Sequence, residues 1–120
     1  MKQNVHNVSY LAVTTLNLKT IQEQSYPAVA LPSGAEVLNV SVEVQEEADA
    51  GTKLKVGLAS DEEFFANDLD LATKSNYTSA KTHKMQSTGT INVKASKTSE
   101  KGAIIVRAFY FLPSQIMTEF

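Results

Sequence analysis

"LPSGAEVLNVSVEV", residues 31–44, decides the fold. Pro32 presets one turn dihedral and Gly34 supplies a positive one, so Pro32-Ser33-Gly34 reads as a built corner. Beyond it Leu38, Val40, Val42 and Val44 alternate with Asn39, Ser41 and Glu43. A period of two is the signature of a strand with one buried face. The polar loop "EEADAG" follows. Then "TKLKVGLA", residues 52–59, alternates again through Leu54, Val56 and Leu58. These two strands are expected to pair antiparallel.

Outward from this unit the chain stays short-stranded. "TINVKA", residues 90–95, alternates through Ile91, Val93 and Ala95. "AIIVRAFYF", residues 103–111, is apolar on both faces except at Arg107, as in a central strand or one whose second face meets another chain. Pro113 is expected to end it, leaving "SQIMTEF" as an apolar tail. Residues 73–89 read as a long surface loop or a weak edge strand. "SDEEFFANDLDLAT", residues 60–73, is the one helical candidate: Ser60 and Glu63 fit a capping box, and Asp61 and Glu62 suit a first turn.

The first thirty residues lack a sustained period. In "YLAVTTLNL", residues 10–18, Leu11 and Val13 alternate, then Leu16 and Leu18. The phase slip at Thr14-Thr15 implies a bulge, or a strand whose halves face different surfaces. Pro27 argues against a helix nearby. The expected organisation is an extended N-terminal arm with one β segment over 1–30 and an antiparallel β domain over 31–120. The fold class is all-β, a sandwich or barrel of the jelly-roll or β-tulip kind, with one short helix.

Composition narrows the function. A chain of 120 residues with 42% hydrophobic and 20% charged residues suits one soluble domain. Its net charge of −2 disfavours a grip on nucleic acid. Ten of the 11 basic residues are lysines, and Arg107 is the single arginine. Cysteine is absent, which excludes disulfides and thiolate metal sites. No apolar run reaches the length of a membrane span, and the N-terminus lacks a signal-peptide pattern, so synthesis in the cytoplasm is expected.

No catalytic signature emerges. No phosphate-cradling glycine loop or Gly-x-Ser-x-Gly elbow is present. His6 and His83 sit in polar surroundings. Asp61, Glu62, Glu63, Asp68 and Asp70 lack the EF-hand pattern, and capping accounts for the first three, though cation binding over 61–70 stays open. The expectation is no enzyme, no cofactor and no metal. Arg107 is costly to bury unpaired. It lies either on a solvated face or paired with a carboxylate, in the chain or across a subunit contact. Phe109 and Phe111 share its face, a composition suited to an interface.

The segment "LPSGAEVLNVSVEVQEEADAGTKLKVGLASDEEFF" resembles small β-rich structural proteins of tailed bacteriophages. The resemblance rests on the corner Leu31-Pro32-Ser33-Gly34, the strand Val37 to Val44, Ala50-Gly51-Thr52 and Val56-Gly57. It implies a capsid decoration, or cement, protein on the outer surface of the virion. Its partners would be the major capsid protein and further copies of itself, a trimer being favoured, with neither nucleic acid nor membrane. The expected contact residues are Tyr10, Leu11, Val13, Leu16 and Leu18 of the arm, Arg107, Phe109 and Phe111, and Ile116, Met117 and Phe120 of the tail. The alternative is a receptor- or carbohydrate-binding β domain of a phage fibre or baseplate. A third and weaker reading is a small enzyme using Asp68 and Asp70.

Overall fold

A computed structural model of the chain describes residues 2–21 and 24–119, with side chains described over 9–21 and 24–112. The strands, in chain order, are β1 (Lys2–Asn17), β2 (Tyr26–Leu31), β3 (Glu36–Glu46), β4 (Lys53–Leu58), β5 (Asp61–Asp70), β6 (Asn76–Ser79), β7 (His83–Lys84), β8 (Gly89–Ala95) and β9 (Ala103–Glu119). One sheet runs β1-β9-β3-β6, with β7 also on β3; the other runs β2-β8-β4-β5. Every pairing is antiparallel. The all-β sandwich expected from the alternating strands is the observed fold.

Alternation sorts the side chains as the sequence requires. Val40, Val42 and Val44 of β3, Leu54, Val56 and Leu58 of β4, Ile91 and Val93 of β8, and Ile104, Val106 and Ala108 of β9 are all buried between the sheets. Leu38 is only half-buried. A register shift between Val37 and Asn39 bulges the strand there, so Val37 turns inward in its place. The Pro32–Gly34 corner is fixed from outside: Gly34 N–H donates to Met85 O at 2.8 Å, and Met85 N–H returns a 2.8 Å bond to Ala35 O. Gly34 has φ 85°, the left-handed value that favours glycine.

Four expectations are corrected. The segment 60–73 is not helical: Asp61–Asp70 form edge strand β5. Asp61 Oδ1 accepts the Glu63 N–H at 3.1 Å, a local turn bond a helix N-cap also uses. What selects the strand is tertiary: Phe65 enters the core, while Glu62 and Glu63 meet lysines of β8 and β4 in the same sheet. Second, β3 and β4 do not pair; they lie in different sheets, and the acidic loop crosses between them. That loop is tied to the β8–β9 turn, with Asp49 N–H donating to Ser99 Oγ at 3.0 Å and Glu100 N–H to Asp49 Oδ2 at 2.9 Å.

Third, the described part of residues 1–30 does not stand apart as an arm. Leu16, Leu18, Ile21, Ala28 and Val29 are buried in the core, and β2 is a full strand of the second sheet. Fourth, β9 does not end at Pro113. Val8 pairs with Leu112 and His6 with Gln115, so Pro113 and Ser114 lie opposite Asn7 in a bulge. A bulge accommodates a residue that has no N–H to donate. Strand β3 accompanies β9 only as far as Phe111. Beyond that point β1 and β9 run on as a two-stranded ribbon, Lys2 reaching Glu119. The chain measures 58 × 24 × 18 Å along its principal axes.

Candidate interaction surface

The outer faces of the two sheets differ in chemistry. On the second sheet, Lys53 and Lys55 of β4 and Lys94 of β8 alternate with buried Leu54, Val56 and Val93. They meet the acidic residues of β5: Lys55 Nζ lies 3.1 Å from Glu63, Lys94 Nζ 3.5 Å from Glu62 and Lys53 Nζ 3.8 Å from Asp70. The hydrogen bond and charge of Glu63 raise the Lys55 amine above its ordinary value. The Asp70 carboxyl is held below its ordinary value, chiefly by the Ala72 N–H, which donates at 3.0 Å, with Lys53 and the Thr73 hydroxyl adding to it. Exposed pairs of this kind contribute little to stability, about 0–1 kcal/mol each. They make this face charged, locally neutralised and hydrated.

The outer face of the first sheet is apolar along β1 and β9. Antiparallel register sets three rows across β1, β9 and β3: Leu11–Phe109–Asn39, Val13–Arg107–Ser41 and Thr15–Ile105–Glu43. Directly paired residues share a face. Leu11 is 59% and Val13 54% exposed. Phe109 and Phe111 are half-exposed and meet edge to face, ring centres 5.6 Å apart. Arg107 crosses this strip and reaches Glu43 Oε1 at 2.8 Å. Of the two placements weighed for Arg107, the carboxylate pair is observed. It lies within the chain, on a half-exposed face.

The expected contact residues therefore divide. Leu11, Val13, Arg107, Phe109 and Phe111 come together on this one face. Tyr10 lies on the opposite face of β1, 43% exposed, and stacks on Tyr110 at 5.4 Å. Leu16 and Leu18 are core residues, 7% and 1% exposed, so they are corrected from contact to packing. No register shift occurs at Thr14-Thr15; β1 points Leu11 and Val13 outward and Leu16 inward, and Leu18, just past its end, is buried too. Ile116 and Met117 occupy the ribbon, paired with Val5 and Asn4. Phe120 lies outside the described residues. The sequence reading missed Ile105 as a member of the outer strip, though its odd-numbered place beside Arg107 and Phe109 carries that signal. Asp68 and Asp70 belong to edge strand β5, with Asp70 engaged by Ala72, Thr73 and Lys53.

Comparison with known proteins supplies the class. Neither a protein-family model nor a curated protein matches the sequence. Among solved structures, the chain is 36% identical to a chain of the "Acidic stable capsid structure of Helicobacter pylori bacteriophage KHP30", covering 100% of both chains with a TM-score of 0.81. It shares the fold of chains in the "Cyanophage Pam1 capsid asymmetric unit" (16% identity, 90% and 87% of the two chains, TM-score 0.72) and the "Capsid of Ralstonia phage GP4" (12% identity, 92% and 88%, TM-score 0.69). The fold and the full-length likeness define a bacteriophage structural protein. The chain belongs to the family represented by that KHP30 capsid chain.

Proposed function

We propose that this protein is a capsid decoration, or cement, protein that binds the outer surface of the major capsid protein shell and stabilises it. The observation that carries the reading is the 36% identity, over the full length of both chains, to a component of a phage capsid. The surface chemistry supports it. One face is charged and self-neutralised; the other offers a contiguous strip of Leu11, Val13, Phe109 and Phe111 beside a projecting ribbon. Exposed apolar strips of this kind mark contact sites. The ribbon adds backbone edges on which a shell segment can lay a strand, so affinity would come from main-chain bonds as well as side chains. Copies repeated over a shell gain from multivalency without a strong single site.

The purified protein is to be mixed with isolated shells lacking it, and bound copies counted after sedimentation. Stoichiometric, saturable occupancy with a raised shell disruption temperature is the expected result. Absence of binding to such shells removes this function and leaves the fibre or baseplate role as the reading to pursue.

A further inference from the structure

Among the described residues four strand edges bound the sandwich, and three are guarded against pairing with another chain. Edge strand β2 is six residues long, carries Pro27 and has a register irregularity after it. Edge strand β5 carries Asp61, Glu62 and Glu63, has two irregularities and holds Asp68 at φ 58°. Edge strand β6 is four residues long. Proline, charge, bulges and shortness are the usual devices that keep an edge from templating. The fourth edge, β1, has none of them over residues 8–17. "VSYLAVTTLN" carries no charge, proline or glycine, and its single register shift lies further out, between His6 and Val8. Among the described residues β1 pairs with β9 alone. The three large hydrophobic side chains exposed on the described surface, Tyr10, Leu11 and Val13, all stand on this stretch.

The ribbon points the same way. A two-stranded ribbon is at best marginal in water, and a third strand gives it independent stability. A strand laid along β1 would run beside both the sandwich and the start of the ribbon.

We infer that the free edge of β1 pairs antiparallel with β1 of a second copy of this chain, about a two-fold axis near Ala12, fusing the two first sheets into one. The choice of a second copy rests on self-complementarity. A two-fold axis sets the residues around it against themselves, so a charge near the centre would meet its own like charge. This stretch has no charge to repel. With the axis at Ala12, Leu11 of each copy faces Val13 of the other on the outer face. The two outer strips then lie side by side as one apolar surface. The contact is a dimer, not the trimer that the family resemblance suggests, and it does not rest on the shell-binding reading.

The chain lacks cysteine, so single cysteines report on this contact without background. Cysteine is placed in turn at Tyr10, Leu11, Ala12, Val13 and Thr14, and the full-length protein is oxidised. A disulfide-linked product of twice the chain mass is expected at one or two adjacent positions and at no others. Sedimentation of the unmodified protein should give twice the chain mass. Val13→Lys should raise the dimer dissociation constant at least ten-fold while leaving the circular dichroism spectrum and melting profile of a folded chain. Thr78→Lys on the β6 edge should leave the mass doubled. Should Val13→Lys fail to fold, the cysteine series alone decides. A monomer with no cross-link at any of the five positions overturns the inference, as does a trimer without one. A monomer that binds shells overturns the inference and keeps the proposed function. A cross-linked dimer that ignores shells does the reverse.

Discussion

Arg107 on central strand β9 donates a 2.8 Å hydrogen bond to Glu43 Oε1 on neighbouring strand β3. The two residues are not directly opposite: Arg107 pairs in register with Ser41, and Glu43 with Ile105. The bond is therefore diagonal, reaching one row along the sheet. It lets a charged side chain sit between Val13 and Phe109 without being stranded. Both side chains keep about a third of their surface, 34% and 35%, so water screens the pair. A double-mutant cycle of Arg107→Ala and Glu43→Ala should give a coupling of about 0.2–1 kcal/mol by denaturant unfolding. A coupling several times larger would show the pair to be desolvated in the form measured.

Leu54 is fully buried on β4, between β5 and β8 in the second sheet. Truncating it removes buried methyl groups and leaves a cavity that a sheet cannot easily close. Leu54→Ala should cost about 2–5 kcal/mol, read from the denaturation midpoint at unchanged slope.

Gly57 of the Val56-Gly57 pair is a site of close backbone approach. Strand β5 bulges opposite it: Val56 pairs with Ala66 and Leu58 with Asp61. A Cβ at position 57 would run into the backbone of Asp61 and Glu62. Gly57→Ala should therefore push β5 away and cost about 1–3 kcal/mol, the range for overpacking. Hydrogen exchange should localise the loss to the amides of β4 and β5. Uniform protection equal to the parent's would show that the hairpin absorbs the methyl group.

These sites also mark what was legible in the sequence. Period-two runs at 38–44, 54–58 and 91–95 identified strands and, Leu38 aside, their inward faces, because a sandwich demands alternation. The pairing of Lys2 with Glu119 and of Asn17 with Ala103 was not legible, since nothing local to either chain end encodes its partner. The same holds for Leu16 and Leu18: their apolar spacing signals burial against something, and only the fold shows that it is the core of this domain. The helix reading of 60–73 failed because local acidic spacing suits a helix start and a strand edge alike. The deciding signal lay elsewhere, in Lys53, Lys55 and Lys94. Their alternation with core residues sets a row of amines on the outer face of that sheet, which calls for carboxylates within reach on the same face. Of the interaction surface, Arg107, Phe109 and Phe111 were readable as an uncomfortable trio, whereas Glu43 as the arginine's partner required the sheet order.

Asp70 links stability to acidity. Its carboxyl lies below its ordinary value in the folded chain, chiefly because the Ala72 N–H donates to it. A depressed carboxylate contributes stability that is fully present above the value of the unfolded chain and is lost as pH falls through the folded value. The contribution therefore fades below a pH of about 4. Asp70→Asn should be less stable than the parent near neutral pH, and the gap should close on acidification through that window. The comparison needs unfolding curves of both proteins at several pH values. A gap constant across the window would assign the effect to lost local geometry.

If the protein binds a shell as proposed, Phe109 and Phe111 test which face meets it. They stand on β9 where β3 leaves it, at the root of the ribbon, and their outer surfaces have no covering layer among the described residues. If this strip docks, Phe109→Ser removes a large apolar contact from a buried site, and contact residues of that kind cost about 2 kcal/mol or more when truncated. Shell affinity should then fall by a factor of roughly 30. Because Phe109 is half-exposed in the free chain, the same change should move the melting midpoint much less than Leu54→Ala does. Lys55→Ser on the opposite face supplies the comparison: it breaks the 3.1 Å pair with Glu63 and should leave shell affinity within two-fold of the parent's, a change of about 0.4 kcal/mol. The reverse pattern, with Lys55→Ser weakening binding and Phe109→Ser neutral, would place the shell on the charged face and leave the apolar strip to contacts between copies.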